Sequence, residues 1–316
     1  MATTLEHSVT LGRWDYEEMA SKDPAVERRR VRLALRTFRN EAGLNQPDVA
    51  QALSWSPSKV IRIEGGSVGV SVTDLRALLD LYGITESDVR QQLEEAARES
   101  RKPPWWSPYR DVVDPQFAVY LGFESVAAEL YAYDPTFVPG LLQTEAYTRA
   151  LLNSRHSAEK SDAIVALRTE RQDRLLREAS EPRLNFLVDE AALRRLIGGP
   201  AVMREQLRHL KSLAELSHVS LGVVPFAIGL HPVLRNGSIA LTFKDDNNDV
   251  LFVEGPNGAL TTRDDQDSVV GYLTKFDKSR TDALSGSAAV RFIDEVLAQY
   301  PHGPATASNA LRDAPS

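Results

Sequence analysis

The sequence predicts an α+β protein: five short helices at the front, then a mixed α+β region with a small, mainly antiparallel sheet. Three observations lead there. Apolar residues recur at helical spacing through residues 25–99, with a cap or stop residue between successive segments. Residues 101–110, with Pro103, Pro104, Pro108 and the pair Trp105-Trp106, interrupt that pattern. Beyond them, helical segments alternate with short apolar runs bounded by turn residues. A length of 316 residues also favours two domains over one.

The elements follow in order. Met1 to Asp23 has weak periodicity and reads as a flexible arm. Ala25 to Ala42 reads as a helix with Val31, Leu35 and Phe38 on one face, ended by Gly43. Asn45 caps a second helix, Gln46 to Leu53, whose first turn tolerates Pro47. Ser54 and Trp55 make a turn. Ser56 then caps a third helix with Pro57 at its first position, and Val60, Ile61 and Ile63 are expected on its buried side. Val72 to Tyr82 is a fourth helix, ended by Gly83. A fifth, capped by Thr85 with Asp88 three positions on, runs to about Arg98.

After the break at 101–110, Gln116–Tyr131, Gln143–Asn153, Ala158–Ala179, Glu190–Leu196, Met203–Leu216, Val269–Lys278 and Ala288–Gln299 read as helices. Leu184–Val188 and Val219–Val224 read as strands. Ser238–Phe243 and Val250–Val253 read as a hairpin around a polar loop. Tyr300 to Ser316, rich in Pro, Ala and Ser, is expected to be disordered. The expected organisation is therefore an arm at 1–24, a helical domain at 25–100, a linker at 101–110, a second domain at 111–300 and a tail at 301–316. The two tryptophans are expected to anchor the linker against the second domain, with base stacking as the alternative.

Composition narrows the chemistry. The chain has no cysteine, which excludes disulfides and thiolate zinc sites and fits a reducing cytoplasm. No apolar run approaches the roughly 18 residues of a membrane helix, and residues 1–10 do not resemble a signal peptide. The histidines lack metal-ligand spacing, so neither a metal nor a cofactor is expected. The net charge of −7 argues against indiscriminate nucleic-acid binding. It is unevenly distributed, however. Residues 24–64 carry eight basic side chains against four acids, a local +4, whereas residues 71–100 carry three against seven, a local −4. A basic patch on an acidic chain suits localised contact with DNA.

Two adjacent helices joined by a tight turn, the second bearing short hydroxyls and cations outward, form the layout with which a helix enters the major groove. Leu44-Asn45-Gln46-Pro47-Asp48-Val49-Ala50 followed by Ser56-Pro57-Ser58-Lys59-Val60-Ile61-Arg62-Ile63-Glu64 has this layout. Small Ala50 suits a close helix crossing. Ser56, Ser58, Lys59 and Arg62 are the candidates for base or phosphate contact, Gln46 for a phosphate, and Arg28 for backbone contact unless the Arg28-Arg29-Arg30 run is only a solvated face. This stretch resembles the Xre, or phage-repressor-like, helix-turn-helix family. It departs from the family at Asn45, at Pro47, and at Trp55, which stands where the turn usually has a glycine of positive φ.

The second domain carries Tyr133-Asp134-Pro135-Thr136-Phe137-Val138-Pro139-Gly140-Leu141-Leu142-Gln143-Thr144-Glu145-Ala146-Tyr147. Further on come Leu187-Val188-Asp189-Glu190-Ala191-Ala192-Leu193-Arg194-Arg195, Gly199-Pro200 with Met203-Arg204-Glu205-Gln206-Leu207, Val223-Val224-Pro225-Phe226 and Val253-Glu254-Gly255. In this order and spacing they resemble the WhiJ-like, antitoxin-like regulators of actinobacteria, whose C-terminal domain has no described biochemical role. Gly229-Leu230-His231-Pro232 departs modestly from that pattern. The resemblance implies a regulatory or sensing module and a small partner protein from a neighbouring gene.

The expectation is thus a sequence-specific DNA-binding transcription regulator, a cytoplasmic homodimer found at the nucleoid when bound. Its second domain would dimerise or receive a signal, with a small-molecule or peptide pocket near Tyr133, Pro139, Arg194 and Glu254 as one form. The alternative is an antitoxin-like protein that mainly sequesters a small partner. Catalysis is not expected. No nucleophile elbow, HExxH, Walker loop or GxGxxG occurs, and Asp189-Glu190 reads better as a helix cap than as an acid–base pair beside His231.

Overall fold

The computed structural model describes residues 24–64, 68–152, 156–176, 182–243, 249–255, 260–263 and 265–300. The expected arm before Pro24, the pair Gly65-Gly66 that reads as the stop of the third helix, the polar loop at 244–248 and the tail at 301–316 lie outside them. The chain divides into two compact units, Met1–Lys102 and Pro103–Ser316.

The first unit is helical: α1 (Pro24–Glu41), α2 (Gln46–Ala52), α3 (Pro57–Glu64), α4 (Val72–Leu81) and α5 (Ser87–Glu99). Local chemistry sets each boundary. Gly43 follows α1 at φ 69°, a left-handed conformation that lets the N–H of Leu44 reach back to the Arg39 carbonyl at 3.1 Å. Asn45 and Asp48 form a reciprocal capping box: Asn45 Oδ1 accepts from the Asp48 N–H at 2.9 Å, and Asp48 Oδ2 accepts from the Asn45 N–H at 2.8 Å. The core gathers Val31, Leu35, Val49, Val60, Leu75 and Leu79, all at most 2% exposed. Each contributes about 1.5–3 kcal/mol in apolar burial.

Three local expectations need correction. The residue with positive φ in the turn between α2 and α3 is Ser54 (φ 55°), not Trp55, whose side chain is half-buried against the core. Glu86, not Thr85, caps α5, and it does so without a side-chain bond. Ile61 is not buried: Val60, Ile63 and Glu64 share the inner face of α3 at helical spacing, and Ile61 lies about a quarter turn away at 53% exposure.

The second unit is a seven-stranded mixed sheet with helices. Its strands are β1 (Glu129–Asp134), β2 (Arg183–Asp189), β3 (Val219–Val224), β4 (Ser238–Thr242), β5 (Val250–Glu254), β6 (Leu260–Arg263) and β7 (Leu284–Ser285). The spatial order is β6-β5-β4-β1-β2-β3-β7. Four of the six adjacent pairs are antiparallel, including the expected β4–β5 hairpin, while β1–β2 and β2–β3 are parallel. Parallel neighbours require crossovers. The first holds α7 (Glu145–Leu152) and α8 (Ala158–Leu176), and the second holds α9 (Glu190–Arg194) and α10 (Pro200–Leu213). Central β2 is buried along Leu184, Phe186, Leu187 and Val188, as a strand covered on both faces must be.

The helix expected over Gln116–Tyr131 is two elements. Here α6 (Pro115–Glu124) ends, and β1 begins five residues later. Pairing of β1 with β2 on one side and β4 on the other outweighs the helical preference of Ala127, Ala128, Glu129 and Leu130. Two closing helices, α11 (Gln266–Asp282) and α12 (Gly286–Leu297), complete the unit. Phe276 of α11 is fully buried beside Tyr133, Leu187 and Val224.

Candidate nucleic-acid interface

The outer face of α3 is built from the inside. Glu64 at its last turn is 7% exposed and accepts from Arg39 of α1, with Nε at 2.6 Å from Oε1 and Nη2 at 3.0 Å from Oε2. Gln46 Nε2 donates to the same Oε2 at 2.8 Å, and Arg39 Nη1 donates to the Leu44 carbonyl at 2.8 Å. One carboxylate thus joins α1, α2 and α3. Its hydrogen bond holds the Arg39 pKa above the ordinary arginine value. Burial, with the Glu64 charge second, pushes the Tyr82 hydroxyl well above the usual tyrosine range.

Lys59 secures the other side. Its ammonium lies 2.7 Å from Asp74 Oδ1 of α4 and 3.6 Å from the centroid of the Trp55 ring. The residue that departs from the expected turn glycine therefore supplies the platform on which Lys59 rests. Arg76 and Glu94 join α4 to α5 through two bonds of 2.6 Å.

The six sequence candidates fall into two groups. Gln46, Lys59 and Arg28 have partners within the head: Glu64, Asp74 and the Ser100 carbonyl, the last at 3.0 Å from Arg28 Nη2. Ser56, Ser58 and Arg62 are exposed together. Ser56 Oγ lies 3.2 Å from Ser58 Oγ, and Arg62 Nε donates to the Ser58 carbonyl at 3.3 Å. Ile61 joins this exposed face. Helical spacing from the buried Val60 and Ile63 was the signal that could have placed it there. Of the other two arginines in the run, Arg29 is 8% exposed and Arg30 Nη1 lies 3.7 Å from Glu27 Oε2.

The second unit divides its own candidates. Tyr133 is 1% exposed; its hydroxyl donates to Asp189 Oδ2 at 2.8 Å and lies 3.3 Å from His231 Nε2. Pro139 is buried. Arg194 Nε contacts Glu190 Oε1 at 2.5 Å, and its Nη1 donates to Gln299 Oε1 at 2.7 Å. Glu254 lies against Gly237, where an added Cβ would stand 2.9 Å from Oε2; lost solvation, then nearby Asp134, raises its pKa. Tyr133 and Arg194 therefore belong to separate bond networks. Asp189 Oδ1 caps α9 by accepting from the Ala191 N–H at 2.8 Å, and Glu190 Oε2 accepts from the Phe226 N–H at 2.7 Å. Burial lowers the His231 pKa, with the Asp189 charge opposing it. Trp105 lies under the Arg174 guanidinium, 4.6 Å from its ring centroid, and Tyr109 donates to Glu170 at 2.9 Å, so residues within the 101–110 break dock on α8.

Two helices joined by a tight turn, with a braced second helix presenting hydroxyls and a guanidinium, define a helix-turn-helix regulator that binds DNA. A family model described as a helix-turn-helix domain matches residues 31–92. A second, described as a domain of unknown function (DUF5753), matches residues 117–295, more than half of the chain. The chain belongs to the DUF5753 family. Among curated proteins and solved structures nothing matches. Among the described residues no helix is long and apolar enough to cross a membrane.

Proposed function

We propose that the chain is a transcription regulator that reads an operator half-site with α3 and works as a homodimer at the nucleoid. The observation that carries this reading is the shared exposure of Ser56, Ser58, Ile61 and Arg62 on a helix whose opposite side is held by Glu64 and Lys59. Serines and an arginine supply base-edge and phosphate contacts, and Ile61 suits the methyl group of thymine. Lys59 and Gln46 are positioning residues in this reading, because Asp74 and Glu64 engage their polar ends. Dimerisation fits because one head offers few base contacts and paired half-sites multiply them. The DUF5753 domain would supply the dimer contact or receive an effector or small partner protein. Asp189 and Glu190 spend their oxygens on structural bonds, which favours a module without turnover.

The test is selection of bound sequences from random DNA by the full chain, followed by titration. Enrichment of a pseudo-palindrome is expected, with Arg62→Ala weakening binding by about 1–3 kcal/mol. Absence of enrichment, with a small protein co-purifying, would favour the antitoxin-like reading.

A further inference from the structure

The segment Pro139–Thr148 of the DUF5753 domain is held by an unusual number of side-chain bonds. Gln143 Nε2 donates to the Val138 carbonyl at 2.6 Å. Gln172 Nε2 donates to the carbonyls of Leu141 at 3.0 Å and Gln143 at 2.7 Å. Gln206 takes the Thr144 N–H at 2.7 Å and donates to the Leu142 carbonyl at 2.6 Å. The result is a rigid turn with Gly140 at its head.

Two arginines of α8 converge on that glycine. A Cβ added at Gly140 would stand 3.7 Å from Arg168 Nη2 and 4.0 Å from Arg171 Nη1. Arg171 spends Nε and Nη2 on Glu124, at 2.9 and 2.6 Å, with Tyr120 beside them. Its Nη1 has no acceptor among the described residues. Arg168 Nη1 donates to Gln143 Oε1 and to Thr148 Oγ1, both neutral, and Arg168 Nη2 has no acceptor among the described residues. Among the described residues Glu124 is the one carboxylate bonded to this pair, and Arg171 takes both its oxygens. Desolvation, then the Arg171 charge, lowers the Arg168 pKa to about 10, so it remains cationic at neutral pH. Arg168 is half-buried and bonded to no carboxylate among the described residues, and two guanidinium nitrogens with free donors match a carboxylate or phosphate group. Arg171 also borders a cavity with Trp105, Glu124, Ser125, Arg174 and Pro182.

We propose that Arg168 and Arg171, each bringing one guanidinium nitrogen to Gly140, form a binding site for the compact oxyanion group of a small ligand. The site is separate from the helix-turn-helix and does not depend on the reading of α3. Inorganic phosphate and acetate are the probes, each titrated into the full chain with chloride at matched ionic strength as the control. Phosphate or acetate is expected to raise the unfolding midpoint and slow hydrogen exchange over residues 138–148. The probe that acts tells a phosphate-bearing from a carboxylate-bearing ligand. R168Q is expected to remain folded and lose the response. R168K, which keeps the charge without the planar fork, is expected to bind about tenfold more weakly. No response beyond chloride in the unaltered chain, or an undiminished response in both variants, would overturn the site.

Discussion

The two units use the same device, an arginine buried against a carboxylate, and complete it differently. In the helical head, Glu64 satisfies Arg39 and Gln46 together, and the remaining Arg39 nitrogen finds the Leu44 carbonyl. In the DUF5753 domain, Glu124 satisfies Arg171 but leaves Arg168 with neutral partners only. A closed set of charges serves a structural joint. An open one is costly unless something else closes it, so the contrast distinguishes a brace from a receptor.

The largest expected effect that sharpens this contrast is at Glu124. Glu124→Ala would strand Arg171, 5% exposed, and should destabilise the second unit by about 3–5 kcal/mol, read as lost hydrogen-exchange protection over residues 117–176. Glu64→Ala should cost less, about 2–3 kcal/mol, because Arg39 keeps partial solvent access, with protection lost over residues 24–64. Equal losses, or losses in the opposite unit, would break the comparison. Smaller again, Asn45→Ala removes one half of the capping box and should cost about 1 kcal/mol by denaturant melt.

What was legible in the sequence is what short-range chemistry decides. Gly43, the Asn45 cap, Pro57 at the start of α3 and the β4–β5 hairpin each announce themselves within a few residues. Strand β1 does not, because its residues also suit a helix and only β2 and β4, over 50 and 100 residues later in the chain, make it a strand. The interface was half legible for the same reason. Ser56, Ser58 and Arg62 are exposed as their spacing implies. The partners that engage Gln46 and Lys59 come from helices whose packing the charge count could not show: Glu64 and Asp74 entered it as mere negative charges. Ile61 reads as inward because it sits in the run Val60-Ile61, where hydrophobicity masks helical phase.

The clamping of α3 also bears on how such a head can change. Its entry is set by the left-handed Ser54 and the Trp55–Lys59 stack, its middle by Asp74 and its end by Glu64. A helix held at three points meets its target already oriented, so little backbone entropy remains to be lost there. The bonds that make that clamp do not involve the exposed side chains of Ser58 and Ile61. Substitution at those two positions can therefore redirect sequence preference while the scaffold stays unchanged, and divergence between related regulators can proceed one exposed side chain at a time.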